Sequence, residues 1–270
     1  MKIKQAIELG KNELSDFKNN YNIVKTLLLS HLDISFEKLY LNLDQELPNE
    51  EIFLKNIKDF KNSKPLEYIT GKASFYSLDF KVFEGVLIPR PETEILVQKV
   101  IDISKNLNKE LKICEIGVGS GIISTVLALN INAKIVSTDI NETAIKNAKE
   151  NIQNFKVQDR VKLIHTSYLD GINEDFDILV SNPPYIANNY KLDNWVLNEP
   201  KNALFGGDSG DEILKEIIKL ADLKNIKIIA CEMGYDQKKS MSDELKKYNY
   251  KAEFYKDLAG FDRGFIAIKN

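Results

Sequence analysis

Apolar positions along the chain follow two periods, and the change between them falls near residue 64. Up to there, apolar residues recur at three- and four-residue spacing over 3–14, 21–31, 36–43 and 51–60, with Asn, Asp, Ser and Pro between the segments. This predicts a small helical domain over residues 1–64. After Lys64-Pro65 the stretch 75–83 partly alternates, Glu84-Gly85 offers a turn, and Val86-Leu87-Ile88 resumes the apolar character, which predicts a β-hairpin linker over 65–90. Pro89-Arg90-Pro91 then brakes the chain. Pro91 with its acidic followers Glu92 and Glu94 suits the first turn of a helix running through Ile95, Leu96, Val100 and Ile103. Beyond it, apolar runs over 112–116, 134–139, 161–165, 176–181, 226–232, 252–256 and 264–269 alternate with helical patterns over 122–130, 142–154, 211–223 and 238–248. Strand and helix in alternation predict a doubly wound α/β sheet over 91–270. The Lys- and Asn-rich stretch 104–112 reads as solvated surface.

Composition narrows the classes of function. With 37 basic against 40 acidic residues the formal net charge is -3, so no global field draws the chain to a nucleic-acid backbone. No apolar run is long enough for a membrane span, and Met1-Lys2-Ile3-Lys4-Gln5 lacks the apolar core of a secretory signal, so a cytoplasmic protein without a membrane partner is expected. Cys114 and Cys231 each lie in an apolar run and read as buried strand thiols rather than a disulfide. Two isolated histidines, His31 and His165, argue against a metal site. No large spare apolar face shows in the pattern, and a monomer is expected.

Two loops carry candidate chemistry. The first is Glu115-Ile116-Gly117-Val118-Gly119-Ser120-Gly121, between a strand and a helix, where glycines permit a sharp turn and close approach of backbone to a ligand. Its Gly-x-Gly-x-Gly spacing differs from the dinucleotide pattern. Glu115 would help hold a positively charged methionine moiety, or else only line the strand end. About 20 residues on, Asp139 ends the next strand, where a carboxylate accepts hydrogen bonds from both ribose hydroxyls. Asn141 fills the cap position of the following helix, which leaves Asp139 to a ligand. Ile140 would lie against an adenine face and Tyr168 would border it, although both residues fit a packed core as well.

The second loop is Asn182-Pro183-Pro184-Tyr185, closing the run 176–181. An NH2 group conjugated to a carbonyl or an aromatic ring has a delocalised lone pair and is a poor nucleophile. An enzyme that alkylates it must hold both hydrogens with acceptors. The Asn182 side-chain oxygen is one acceptor and the Pro183 carbonyl a second, while each proline fixes φ and adds no competing donor. Tyr185 would supply a flat face for stacking. Asn-Pro and Pro-Pro also punctuate ordinary turns. Downstream of a cofactor loop in the same sheet, the motif points to methyl transfer onto a planar nitrogen, with S-adenosylmethionine a better fit than a dinucleotide.

These residues, taken with the hairpin, resemble the peptide chain release factor glutamine methyltransferases. The likeness runs from Pro65 nearly to the end, through Pro65-Leu66-Glu67-Tyr68-Ile69-Thr70-Gly71, Leu87-Ile88-Pro89-Arg90-Pro91-Glu92-Thr93-Glu94, both loops above, and Glu199-Pro200 with Ala203-Leu204 and Gly206-Gly207. The segment before Pro65 is similar only in size and position. The resemblance implies a class I methyltransferase, Rossmann-like, with a small N-terminal helical substrate-recognition domain. It implies N5-methylation of the glutamine in the Gly-Gly-Gln motif of class I release factors, a step of translation termination, with S-adenosyl-L-methionine as cofactor and no direct nucleic acid required. Carried over by position, Gly117 through Gly121, Asp139, Tyr168 and Asn182 fall on cofactor-contact positions, and Asn182 through Tyr185 on catalytic and substrate-contact positions. Ser167 stands where many members have Asp, and the connection 220–226 lacks the glycine usual there. Arg90 is read as steadying the loop or the cofactor carboxylate, or as an ordinary ion pair, and Glu199 as orienting a covering segment. Two competing readings are an adenine-N6 methyltransferase on DNA or RNA, which faces the same lone-pair problem, and a non-catalytic cofactor-holding protein that binds release factors.

Overall fold

A computed structural model describes residues 1–107 and 109–270; Asn108, within the stretch read as solvated surface, lies outside them. The chain divides into two compact units, one of Met1–Lys72 with Asp193–Asn198, the other of Ala73–Leu192 with Glu199–Asn270.

In the first unit the helical periodicity becomes α1 (Ile3–Glu13), α2 (Asn20–Leu32), α3 (Phe36–Leu41), α4 (Glu50–Lys61) and the short α5 (Leu66–Thr70). Their apolar stripes meet in one core around Leu14, Val24, Leu27, Leu28, Leu39 and Phe53. Gly10 lets α1 and α2 approach closely, since a Cβ there would come within 2.8 Å of Val24. Trp195, far away in sequence, packs its ring 4.8 Å from Phe60 and 6.2 Å from Phe17. Nothing in the local pattern of 193–198 announces that this segment belongs with the helices.

The second unit opens with β1 (Lys72–Phe75) and β2 (Leu78–Lys81), whose turn is Tyr76-Ser77, with φ of 54° and 59°. The hairpin therefore reverses earlier than the sequence predicts, and Val86-Leu87-Ile88 forms no strand. Neither Tyr nor Ser advertises left-handed backbone, whereas Glu84-Gly85 does, so residue type favours a dipeptide other than the one at which the hairpin reverses. Two asparagines of a later helix, Glu142–Asn154, hold the hairpin end: Asn151 Oδ1 accepts from Lys81 N–H at 2.8 Å and Asn147 Oδ1 from Phe83 N–H at 2.9 Å. The chain that follows is thereby delivered to the site.

After α6 (Thr93–Lys105) come β3 (Leu111–Ile116), α7 (Ile122–Asn130), β4 (Ala133–Asp139), α8 (Glu142–Asn154), β5 (Val161–His165) and β6 (Ile178–Ser181). A small pair follows, β7 (Ile186–Ala187) and β8 (Phe205–Gly207), with α9 (Lys201–Leu204) between them. Then come α10 (Glu212–Leu223), β9 (Ile228–Glu232), α11 (Lys238–Lys247), β10 (Tyr250–Lys256) and β11 (Asp262–Lys269). The main sheet has the order β10-β11-β9-β6-β3-β4-β5, parallel except that β11 runs antiparallel to both neighbours. Successive residues of a strand serve opposite faces. Ile113, Ile178 and Val180 join the core shared with α6, α7 and α8, while Cys114, Leu179 and Cys231 join the one shared with α10 and α11. Burial on both faces explains why these strands read as continuous apolar runs. Both cysteines are buried free thiols.

Where a glycine was missed between α10 and β9, Asn225 takes the left-handed conformation at φ 57°. Asn tolerates that region better than other side chains, so the turn closes without glycine. No helix among the described residues is long and apolar enough to cross a membrane. Phe53→Ala, which empties the centre of the helical core, is expected to cost about 3–5 kcal/mol. Urea unfolding followed by fluorescence of Trp195, the single tryptophan, reads that loss as a lower midpoint.

Candidate active site

The strand order reverses direction at β3: the chain proceeds outward through β4 and β5, then returns to β6 on the other side. Loops leaving the carboxyl ends of β3 and β6 therefore diverge and leave a crevice. The glycine loop follows β3 and Asn182-Pro183-Pro184-Tyr185 follows β6. A cavity of about 850 Å3, open to solvent, lies between them.

Gly117, Gly119, Asp139, Ile140 and Tyr168 line this cavity on one side, and Asn182, Pro183 and Pro184 on the other. The cradle has little side chain of its own. Gly117 and Gly119 hold φ of 79° and 54°, and a Cβ built on Gly119 would meet nothing within 4 Å, so the backbone faces open space. Val118 and Ser120 line a smaller adjoining hollow with Arg90 and Thr93. Gly121 lines neither. Its constraint is helix packing, because a Cβ there would sit 3.0 Å from Ala148 of α8.

Asp139 Oδ2 accepts from Gly119 N–H at 3.0 Å and Oδ1 from Asn141 N–H at 2.9 Å, so the carboxylate fastens the glycine loop while its other lone pairs remain for a ligand. Burial raises its pKa, and these backbone donors oppose the rise. Asn141 does cap α8, its Oδ1 accepting from Thr143 N–H at 2.9 Å, and its Nδ2 donates to Gly85 O at 3.0 Å. That bond holds the 85–87 turn against the cavity. Gly85, Val86 and Leu87 are lining residues that sequence reasoning missed; a turn and the apolar arm expected after it give no signal of a site.

Glu115 stands apart from the other expected contact residues. Its side chain is fully buried beneath the loop, Oε2 accepting from Ser137 Oγ at 2.8 Å, and it is not among the residues lining this cavity. Along β3 its neighbours face the two apolar cores, so the acid ends inside the protein, where burial pushes its pKa up to about 8. Tyr185 also stands outside the cavity lining. Its hydroxyl donates to Glu232 Oε1 at 3.2 Å, and its half-buried ring packs with the α10–α11 core, so it anchors the tetrapeptide.

Asn182 Nδ2 donates to Thr93 Oγ1 at 2.9 Å, and Thr93 Oγ1 in turn donates to Glu232 Oε2 at 2.6 Å. Among the described residues neither Asn182 Oδ1 nor the Pro183 carbonyl has a hydrogen-bond partner. Behind the tetrapeptide, glycines press close: a Cβ on Gly206 would meet Pro184 O at 2.5 Å, and one on Gly210 would meet Tyr185 O at 2.6 Å. Glu199 is buried, accepting from Ile88 N–H at 3.0 Å and pairing with Arg90. That pair locks the proline-bracketed segment to the start of α9, and it is no surface ion pair. Thr93 and Glu232 were not singled out from sequence. The available signal for Glu232 was an acid closing a wholly apolar strand.

The site can hold a ligand with vicinal hydroxyls at Asp139 and its flat part near Ile140 and Tyr168, and can present two carbonyl oxygens to an incoming NH2. A domain model described as "Methyltransferase small domain" matches residues 91–205. A release factor glutamine methyltransferase of Clostridium botulinum is 39% identical over 93% of this chain and 93% of its own length. Its counterpart in Aquifex aeolicus is 35% identical over 96% and 94%. Among solved structures, a ribosomal protein L11 methylase from Lactobacillus delbrueckii superposes with TM-score 0.53 at 19% identity, covering 70% of this chain and 84% of that one. A methyltransferase from Pyrococcus furiosus does so with TM-score 0.55 at 18% identity, covering 81% and 96%. These two share the fold.

Burial raises Glu115 to about 8 and Glu232 to about 7, both from an ordinary 4.5. Between those values the folded protein binds more protons than the unfolded chain, so stability falls as pH rises through the window. Urea unfolding of Glu115→Gln should show a flatter decline between about pH 5 and pH 8 than the parent. An unchanged slope would assign the protons to other groups.

Proposed function

Because the chain belongs to the release factor glutamine methyltransferase family, we propose that it transfers a methyl group from S-adenosylmethionine to the side-chain amide nitrogen, N5, of the glutamine in the Gly-Gly-Gln motif of class I release factors. The chain is a methyltransferase with the class I fold. One observation carries the reading of its site: Asn182 and Pro183 line the cavity, Asn182 is held by its Nδ2 end, and among the described residues Asn182 Oδ1 and the Pro183 carbonyl accept no hydrogen bond.

The open cradle at Gly119 and the spare lone pairs of Asp139 fit the methyl donor. Asp139 would receive its ribose hydroxyls, Gly117 through Gly119 would give its methionine part room beside the backbone, and Ile140 and Tyr168 would flank its adenine. When bound, S-adenosylmethionine supplies a methyl group made electrophilic by its sulfonium. The protein's own work is to hold the acceptor. A glutamine carboxamide donates its two N–H bonds to Asn182 Oδ1 and Pro183 O, which fixes its plane and directs the face of the nitrogen, where its lone-pair density lies, into the cavity. Orientation and exclusion of water supply the rate enhancement. The alkylated nitrogen is strongly acidic and sheds its proton without a tuned base, consistent with a cavity lined by no histidine.

Tyr185 and Glu232 brace the tetrapeptide from behind. The helical unit recognises the release factor outside its glutamine tip in this reading. The protein acts as a cytoplasmic monomer and needs no nucleic acid.

The test is methylation of purified release factor with the acceptor glutamine replaced as control. A gain of about 14 Da on the parent substrate and none on the control is expected. Label entering duplex DNA or RNA alone would assign the enzyme to base methylation, and binding without mass gain would assign it to a non-catalytic partner. Asn182→Ala should lower kcat about 100-fold or more while the cofactor dissociation constant changes less than about threefold. Asp139→Ala should do the reverse, weakening cofactor binding about 10- to 100-fold through two lost charge-assisted hydrogen bonds. Isothermal titration and single-turnover kinetics separate the two.

A further inference from the structure

We infer that Glu232, acting through Thr93, is the positioning residue that decides which end of the Asn182 carboxamide faces the substrate. The inference deepens the reading of Asn182 given above and rests on it.

The two ends of an Asn side chain have nearly one shape and opposite polarity. An NH2 acceptor group can only donate, so a flipped Asn182 would set donors against donors and the slot would repel its substrate. Contact with Thr93 does not by itself prevent this, because a hydroxyl rotates to donate or to accept. A carboxylate removes the choice. It only accepts, so it draws the Thr93 hydrogen to Glu232 Oε2 at 2.6 Å and turns the Thr93 lone pairs toward Asn182 Nδ2 at 2.9 Å. Both Thr93 and Glu232 are fully buried, and no bulk water competes for these bonds. Three separate elements meet here: the first residue of α6, the last residue of β9 and the residue following β6. The other oxygen of the same carboxylate accepts from Tyr185 at 3.2 Å, so one group holds both ends of the tetrapeptide.

The polarity of this relay depends on the charge of Glu232. Once protonated, its carboxyl can donate to Thr93 Oγ1, the Thr93 hydroxyl is free to donate to Asn182 Oδ1, and the flipped amide becomes equally satisfied. Burial pushes the carboxyl up to about 7. The groups that face it are Thr93 from α6, Tyr185 from the loop after β6, Arg263 from β11, Tyr255 from β10 and Glu92 just before α6. Arg263 and the hydroxyls of Thr93 and Tyr185 favour the ionised form, and Glu92 opposes it.

Two measurements on the full chain test this. In single-turnover methyl transfer, Thr93→Val and Glu232→Gln should each lose about 100-fold in rate with cofactor affinity within about threefold of the parent. Thr93→Ser, which restores the hydroxyl, should recover at least about tenfold of the Val loss. The parent rate should fall as pH drops through about 7, and that limb should vanish in Glu232→Gln. Independently of any substrate, the side-chain NH2 resonances of 15N-labelled Asn182 should titrate near the same pH in the parent and stay flat in Glu232→Gln. An Asn182 signal without that titration, or an unaltered pH profile in Glu232→Gln, overturns the inference. Cofactor affinity falling in step with rate does so as well. A titrating Asn182 in a protein that methylates no release factor would overturn the proposed substrate and leave the relay standing.

Discussion

A sheet buried on both faces has only its strand ends left for polar work, and that constraint organises everything else in the larger unit. Side chains from β3, β6 and β9 serve two apolar cores, so a polar group in mid-strand would be isolated from water and partners. Function collects at the carboxyl crest. The switch in strand order between β3 and β6 opens a place on that crest where two loops separate. Glycines permit the loop after β3 to stay backbone-thin, and prolines keep the loop after β6 free of N–H groups that would compete for acceptors.

Three acids lie at or near the carboxyl ends of β3, β4 and β9, and their surroundings give them different work. Asp139 is partly open to the cavity and grips the glycine loop through backbone N–H groups. Glu115 lies under that loop with one oxygen bonded to Ser137, and burial raises its pKa. Glu232 is equally buried, yet two hydroxyls and Arg263 draw its charge back, which holds it near the middle of the accessible range. Acids near the same edge of one sheet thus diverge through their neighbours.

The sequence was informative wherever a periodic pattern or a chemically unusual run settled the matter. Helices such as α7 and α8 coincide with their patterns, because an all-apolar stretch after a glycine and an Asn cap are local facts. The cavity-facing members of both loops were legible from residue type. Errors arose where geometry is decided at a distance. The hairpin turned at Tyr76-Ser77 since contacts with α8 fix its register, and those contacts are 64 to 70 residues away in sequence. The side-chain direction of Glu115 follows from strand pleat, which places it under the loop although its position in the motif points to the ligand. Thr93 and Glu232 are joined across 139 residues, and no local reading links them.

The short return of Asp193–Asn198 into the helical unit makes that unit discontinuous along the chain. Trp195 contributes its ring to the aromatic cluster of Phe17 and Phe60, so the helical core is completed by an excursion from within the larger unit's sequence. An amino-terminal fragment would fold with a face missing. Recombination that exchanged the helices between related enzymes would have to bring a matching hexapeptide from mid-chain with them. A change of size in one segment needs an answering change in the other, and the freedom usually granted to a terminal module is curtailed by a tether of six residues.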